Sequence, residues 1–283
     1  MIRFGPAGNS ENFYSQGHKT SVESPKWLHE MGLNAYEYQC GKGVHIPEET
    51  ARQLGKEASL YDIALSIHAP YYINMSGDDP VKRENSRQYI YSTLKAASWM
   101  NAKRIVVHPG SCGKMDRRSA LNLSIQMMKD VLLEAKNLGF SDILICPETM
   151  GKMKQIGTLD EVIELCKIDD RLIPTVDFGH VNARSLGGLV SVQDFEEIIL
   201  NIQNQLGHDR AKHLHCHFSR IEFTAGGEKK HWTLADTQFG PNFEPLAEVL
   251  CKMNLEPIII CESAGTMAED AVKLKLIYEG VNQ

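Results

Sequence analysis

Eight short runs rich in β-branched residues recur along the chain, and they limit its possible folds more than any other feature. They are IRFGPAG from Ile2, NAYEYQC from Asn34, ALSIHAP from Ala64, RIVVHPG from Arg104, ILICPET from Ile143, LIPTVDFGH from Leu172, KHLHCHF from Lys212 and EPIIICES from Glu256. Their starts lie roughly 30 to 45 residues apart, the interval that one strand, one helix and two loops occupy in a βαβ unit. The intervening segments have helical period. Tyr89, Thr93, Ala96, Ala97 and Met100 fall on one face of the stretch from Arg83 to Met100, and Leu123, Met127, Val131 and Ala135 on one face of Ala120 to Leu138. Gly139, just before the next run, suits a helix C-terminus.

Near-continuous apolar stretches such as IVV and IIIC are what a parallel sheet covered on both faces requires. An open doubly wound sheet would want a glycine-rich phosphate loop after a strand, and neither GxGxxG nor GxxxxGK[ST] is present. Eight βα units close more naturally into a barrel. With no linker rich in Pro, Gly or Ser, the expectation is an α/β fold, a (β/α)8 TIM barrel in a single domain over residues 1–283.

Composition narrows the function. A formal net charge of −6 excludes a global basic field, so any nucleic-acid contact has to be local. The N-terminus, MIRFGPAGNSENF, has no basic region leading into an apolar run, and no stretch approaches the ~20 apolar residues of a membrane span. A cytoplasmic protein, a monomer with no membrane partner, is expected. The seven cysteines are odd in number and show no CxxC, so they read as reduced and mostly buried thiols.

The chemistry is written at the strand ends, because in a barrel the C-terminal ends of all strands meet around one mouth. The third run ends in His68, the fourth in His108, the fifth in Glu148, the sixth in Asp177 with His180 just beyond, the seventh in His215 and His217, and the eighth in Glu262. Three carboxylates gathered at one mouth would repel one another and lose solvation at a cost of roughly several kcal/mol per ion. Bound cations remove that penalty. Imidazole and carboxylate suit zinc, with manganese or iron as alternatives.

More ligands are available than one tetrahedral ion can use. Two or three ions are therefore expected, with Glu148 suited to bridge them, and ions held ~3.5 to 4 Å apart serve in-line displacement at phosphorus. His213 shares the alternation of His215 but would lie deeper, so His215 is expected at the mouth and His217 as an outer partner. His231 falls in TAGGEKKHWTLAD, whose glycines and charges read as a loop.

The motifs SIHAPYYIN, VVHPGS, ICPETMG, TVDFGHVNA, HLHCHFS, KKHWTL and IICES resemble the endonuclease IV group of apurinic/apyrimidinic endonucleases, a branch of the xylose isomerase-like barrels. The resemblance extends over essentially the whole barrel. It implies a trinuclear zinc site: His68 and His108 on one ion, sharing Glu148 with a second that also takes Asp177, His215 and Glu262, and His180 and His231 on the third. It implies Glu148 and Glu262 as the catalytic carboxylates, and double-stranded DNA with abasic sites as the partner.

Tyr71 matches the family tyrosine that enters the minor groove at the lesion; taken alone it reads equally as a loop aromatic packed over the rim. The family's aspartate two residues before the loop histidine is here Lys229, beside Glu228. Either Glu228 moves in as a ligand or the third ion is weak or missing. The QCGKGVHIP segment lacks the family's glutamine-and-arginine stretch, leaving Lys42 as its only basic residue and the expected DNA contact. The implied activity is metal-dependent cleavage of DNA 5′ to abasic sites, in base excision repair. The alternative is a single-metal sugar isomerase or epimerase of the same superfamily, using Glu148, Asp177, His215 and Glu262 alone. Four extra imidazoles favour the multinuclear reading.

Overall fold

The computed structural model describes residues 1–282. All eight runs form strands: β1 (Arg3–Pro6), β2 (Ala35–Gln39), β3 (Ala64–His68), β4 (Arg104–Val107), β5 (Leu144–Pro147), β6 (Thr175–Asp177), β7 (His215–Phe218) and, after an inserted hairpin of β8 (Arg220–Thr224) and β9 (Gly227–Trp232), β10 (Ile258–Cys261). β2 to β5 pair side by side in parallel, as do β6, β7, β10 and β1. Parallel bridges Ala7–Glu37 and Glu148–Thr175 join the two arcs. The sheet therefore closes on itself and leaves no edge to be protected. A single (β/α)8 barrel covers nearly the whole chain.

The helices between strands start and stop where local chemistry tells them to. Pro80–Met100 opens with proline in its first turn and with Asp79 accepting the Val81 amide at 2.9 Å, and it ends at Asn101 in the left-handed region. Arg117–Asn137 is capped by Asp116, which accepts the Ser119 amide at 2.9 Å. Each cap satisfies amides that the helix itself leaves unpaired. Their apolar faces cover the barrel; the Ala120, Met127, Val131 and Ala135 positions are buried, while Leu123 is half-buried.

The barrel interior is layered. At the N-terminal end the buried Arg104 guanidinium donates to the carbonyls of Leu214 (3.0 Å) and His213 (2.8 Å), closing the bottom. A small apolar layer of Val106, Cys146 and Ile173 is packed in the barrel as a cluster of its own. The residues near the C-terminal strand ends are polar, and the candidate site begins there. No helix among the described residues is long and apolar enough to cross a membrane, and the seven cysteines are free thiols.

One expectation is corrected. The segment after β7, read as a loop, is the β8–β9 hairpin, turning at Ala225 and Gly226. Its glycines signalled a turn, and of the charged residues around them Lys229 and Lys230 are exposed while Glu222 and Glu228 are part-buried on the paired strands.

Candidate metal centre

Glu148, one residue beyond β5, is buried at the centre of the mouth (1% exposed). Its Oε2 lies 3.3 Å from His68 Nε2 and 3.1 Å from His108 Nε2. Its Oε1 lies 3.2 Å from His217 Nδ1 and 3.5 Å from His180 Nδ1. Glu262, just after β10, brings Oε1 to 3.4 Å from the same His217 nitrogen. Each carboxylate oxygen of Glu148 thus faces two imidazoles from different βα units.

Asp177 ends β6 and caps the short helix Phe178–Arg184, accepting the His180 amide on Oδ1 at 2.8 Å. Its other oxygen, Oδ2, is buried with no hydrogen-bond partner among the described residues, although His180 Nδ1 lies 3.2 Å away. That nitrogen is already committed to the Thr149 carbonyl at 2.9 Å. A carbonyl only accepts, so Nδ1 carries the hydrogen and Nε2 is the free nitrogen, facing Glu228 Oε2 at 3.4 Å. His68 is fixed in the same way: Nδ1 donates to the Ala69 carbonyl at 2.8 Å and leaves Nε2 toward Glu148.

The expected place of His215 is corrected. Residues two apart on a strand share a face, so His215 and His217 both point inward. The register pairs Asp177 with His217 and Thr175 with His215. His217 is therefore level with the mouth, and His215 is one layer down, with Nε2 2.8 Å from Glu37 Oε2. The strand runs two residues further than a mouth at His215 would allow. His213 lies outside β7, half-exposed beside Asp209 and Glu256.

The hairpin settles which acid stands beside His231. β8 and β9 pair Phe223 with Glu228 and Glu222 with Lys230, with a bulge between. A bulge inserts one residue and shifts the alternation that follows it. Lys229 turns outward to Glu222 at 2.6 Å, and Glu228 and His231 come to one side, with Glu228 Oε1 3.8 Å from His231 Nε2. Ser219 and His231 Nδ1 are 2.8 Å apart. The approach is possible because residue 151 is a glycine: a Cβ there would lie 2.6 Å from Glu228 Cβ and 3.0 Å from His180 Cδ2. Glu228 N donates to Gly151 O at 3.2 Å.

The electrostatics are those of a mouth where acids and imidazoles crowd together out of water. Burial works to raise the Glu148 pKa, but the imidazoles of His108, His180, His217 and His68 outweigh it and hold it well below the ordinary carboxylate value. His68 is opposed by burial yet held up to about 9 by Glu148, and His180 and His217 stand well above their ordinary value beside Asp177, Glu148, Glu262 and Glu37. Burial pushes Glu262 up to about 8. Protons on these groups stand where cations would serve.

Five overlapping groups among the described residues could hold ions, their ligand atoms all within 4.8 Å of one another in each group: His68, His108 and Glu148; Glu148, Asp177, His217 and Glu262; His68, His217 and Glu262; Asp177, His180 and His231, with Glu228 alongside; and, one layer down, Glu37, His215 and His217. The orphaned Asp177 Oδ2 and the facing Nε2 lone pairs fit metal ions. The cleft above holds about 310 Å³, lined also by Gln39, Tyr71, Met150, Lys152 and Gln155. Tyr71 and Tyr72 stand half-exposed at its rim with ring centroids 4.4 Å apart. The amide of Tyr71 donates to the carbonyl of Gly41, the neighbour of exposed Lys42. Sequence reasoning passed over Glu37 and Gln39. A carboxylate at an inward position of β2 was their only signal.

Fold and site together define a (β/α)8 barrel whose mouth gathers candidate groups of metal-ligating side chains. The model of the xylose isomerase-like TIM barrel family matches residues 25–276, and the chain belongs to that family. An uncharacterized protein of Methanocaldococcus jannaschii is 34% identical over 280 residues, 98% of this chain and 97% of that protein. A probable endonuclease 4 of Mycoplasma pneumoniae is 29% identical over 216 residues, 73% of this chain and 70% of the relative. Among solved structures, a D-tagatose 3-epimerase-like protein superposes with a TM-score of 0.71 at 20% identity, covering 93% of this chain and 96% of its own. Endonuclease IV from Thermus thermophilus superposes with a TM-score of 0.67 at 16% identity, covering 94% of this chain and 95% of its own. These structural likenesses establish the fold alone.

Proposed function

We propose that the protein is a zinc-dependent phosphodiesterase acting on double-stranded DNA at abasic sites, cutting 5′ to the lesion in base excision repair, as a cytoplasmic monomer. One observation carries this reading. Beyond the four ligands that a single ion would use, four more imidazoles (His68, His108, His180 and His231) point into the same mouth, three of them within 3.5 Å of Glu148 and the fourth beside Glu228. The probable endonuclease 4 relatives support it.

His68, His108 and Glu148 would hold the first ion, Glu148, Asp177, His217 and Glu262 the second, and His180, His231 and Glu228 the third. Bound there, the ions would activate water and neutralise phosphate charge. Glu148, with Oε2 toward His68 and His108 and Oε1 toward His217, would be shared between the first two groups. Glu262, catalytic with Glu148 in this reading, borders the open cleft and can take a proton at its carboxylate. Lys152 lines the cleft and is a basic group available to a phosphate there. Tyr71 and Lys42 at the rim supply the local contact with DNA that a net charge of −6 requires.

The experiment is incision of a duplex containing one abasic site by metal-replete protein, with and without chelator. Chelator-sensitive cleavage on the 5′ side is the expected result, and an intact duplex with metal-replete protein would overturn the proposal. The second reading, a one-ion sugar epimerase, rests on the Glu148, Asp177, His217 and Glu262 group, which suffices for one ion. It calls for one ion per chain and turnover of a ketose.

A further inference from the structure

Beneath the mouth lies a second polar layer that no step above uses. Glu37, on β2, is wholly buried, as are His215 and His217. Barrel interiors at this depth are filled by Val, Ile and Leu, so an acid here calls for a reason. It is ringed by donors. The register places Ser66 opposite Glu37, and Ser66 Oγ donates to Glu37 Oε2 at 2.8 Å. His215 Nε2 donates to the same oxygen at 2.8 Å from across the barrel. Gln39 Nε2 donates to Oε1 at 3.2 Å. These donors fix the carboxylate in place and favour its ionised form.

The remaining approach to Oε1 is from His217 Nε2, at 3.0 Å. The contact is short but off-line, so with the ring as it stands Nε2 makes no hydrogen bond. The other ring nitrogen, Nδ1, faces Glu148 at 3.2 Å and Glu262 at 3.4 Å. His217 thus has a carboxylate beyond each ring nitrogen, those of the mouth beyond Nδ1 and that of the buried layer beyond Nε2. An imidazole that binds a cation through one nitrogen has to carry its hydrogen on the other, and its outer partner decides which.

We infer that Glu37 is the positioning residue for His217: by accepting from Nε2–H it leaves Nδ1 bare toward Glu148 and Glu262, and Ser66 and His215 hold Glu37 in place for that task. This rests on the reading that the mouth holds cations. Glu37 touches no substrate and lines no cleft; it acts through His217.

The test uses the full chain and zinc alone. Wild-type and E37Q proteins are stripped of metal, checked for fold by circular dichroism, and titrated with zinc against a chromophoric chelator. Loss of an outer partner of a metal-bound imidazole costs about 10- to 100-fold in affinity, and E37Q is expected to show that loss. The ¹⁵N shifts of His217 in zinc-loaded wild type give a readout that a packing role would not move: Nε2 protonated and Nδ1 metal-bound is expected. Nδ1 protonated, or an E37Q affinity equal to that of wild type, would overturn the inference.

Should E37Q fail to fold, S66A decides, since it removes one donor to Glu37 and keeps the acid. It is expected to bind zinc roughly threefold to tenfold more weakly, and unchanged affinity would overturn the inference. None of these measurements uses DNA. Absence of incision by wild type would sink the phosphodiesterase reading and leave the role of Glu37 standing, whereas incision by wild type with undiminished zinc affinity in E37Q would sink the role of Glu37 alone.

Discussion

Gly151→Ala is the sharpest probe of the third ion, because it moves a ligand without touching one. The added Cβ would lie 2.6 Å from Glu228 Cβ and 3.0 Å from His180 Cδ2, whereas apolar carbons rest at about 3.5 to 4.0 Å. Glu228 would have to retreat by roughly 1 Å, and metal–ligand distances tolerate only about 0.2 Å.

The loop cannot yield instead. Arg184 donates to the carbonyls of Met150, Lys152, Met153 and Gln155 at 2.9 to 3.1 Å, and Arg117 to those of Met153 and Gln155. The hairpin is pinned to it as well: Gly227 has a positive φ of 92°, and a Cβ there would stand 2.1 Å from Gly151 O. Displacing one ligand of three by that much is expected to weaken the third ion at least about 100-fold, since loss of an outer partner alone costs 10- to 100-fold. The overpacking itself costs about 1 to 3 kcal/mol of stability, which leaves the barrel folded.

Elemental analysis of dialysed protein should show one ion fewer per chain than wild type, with thermal denaturation still cooperative. Equal metal content and affinity in G151A would refute the placement of Glu228 at that ion.

Glu148→Gln, nearly isosteric at a buried position, is expected to keep the fold and to lose at least one ion together with activity; retained activity would remove Glu148 from its bridging role. His217→Asn should lower metal content whereas His213→Ala should not, and elemental analysis of both tests which histidine of β7 and its approach reaches the mouth. Zinc uptake in weak buffer at pH 7 should release protons. His68 at about 9 and Glu262 at about 8 are protonated there, so zinc has to displace their protons and the apparent affinity should rise from pH 7 toward 9; a pH-independent titration would contradict this. Tyr71→Ala is expected to weaken binding to abasic duplex by about 5- to 100-fold, the worth of one aromatic contact with a base, at unchanged metal content, measured by fluorescence anisotropy.

Local pattern along the chain was enough for the barrel and most of its mouth. Strand positions follow from runs of Ile, Val and Leu whose burial is set by neighbouring residues, and the residues that end those runs are brought together by any closed parallel barrel. That is why the convergence of His68, His108, Glu148, Asp177 and Glu262 on one mouth can be read from the sequence. His217 was not separable from His215, because a period of two puts both on one face and only the register against Asp177 says which is level with the mouth.

Glu228 and His231 depended on a bulge at Lys229, a one-residue irregularity invisible to alternation, and on the missing side chain of Gly151, a residue distant in sequence. Glu37 was legible only as an oddity, an acid in an inward-facing strand position. Its partners Ser66 and His215 stand 29 and 178 residues away; the first contact needs β2 paired in register with β3, and the second needs the barrel closed. Period and residue type are local properties of a chain, whereas register, bulges and cross-barrel hydrogen bonds belong to the folded molecule.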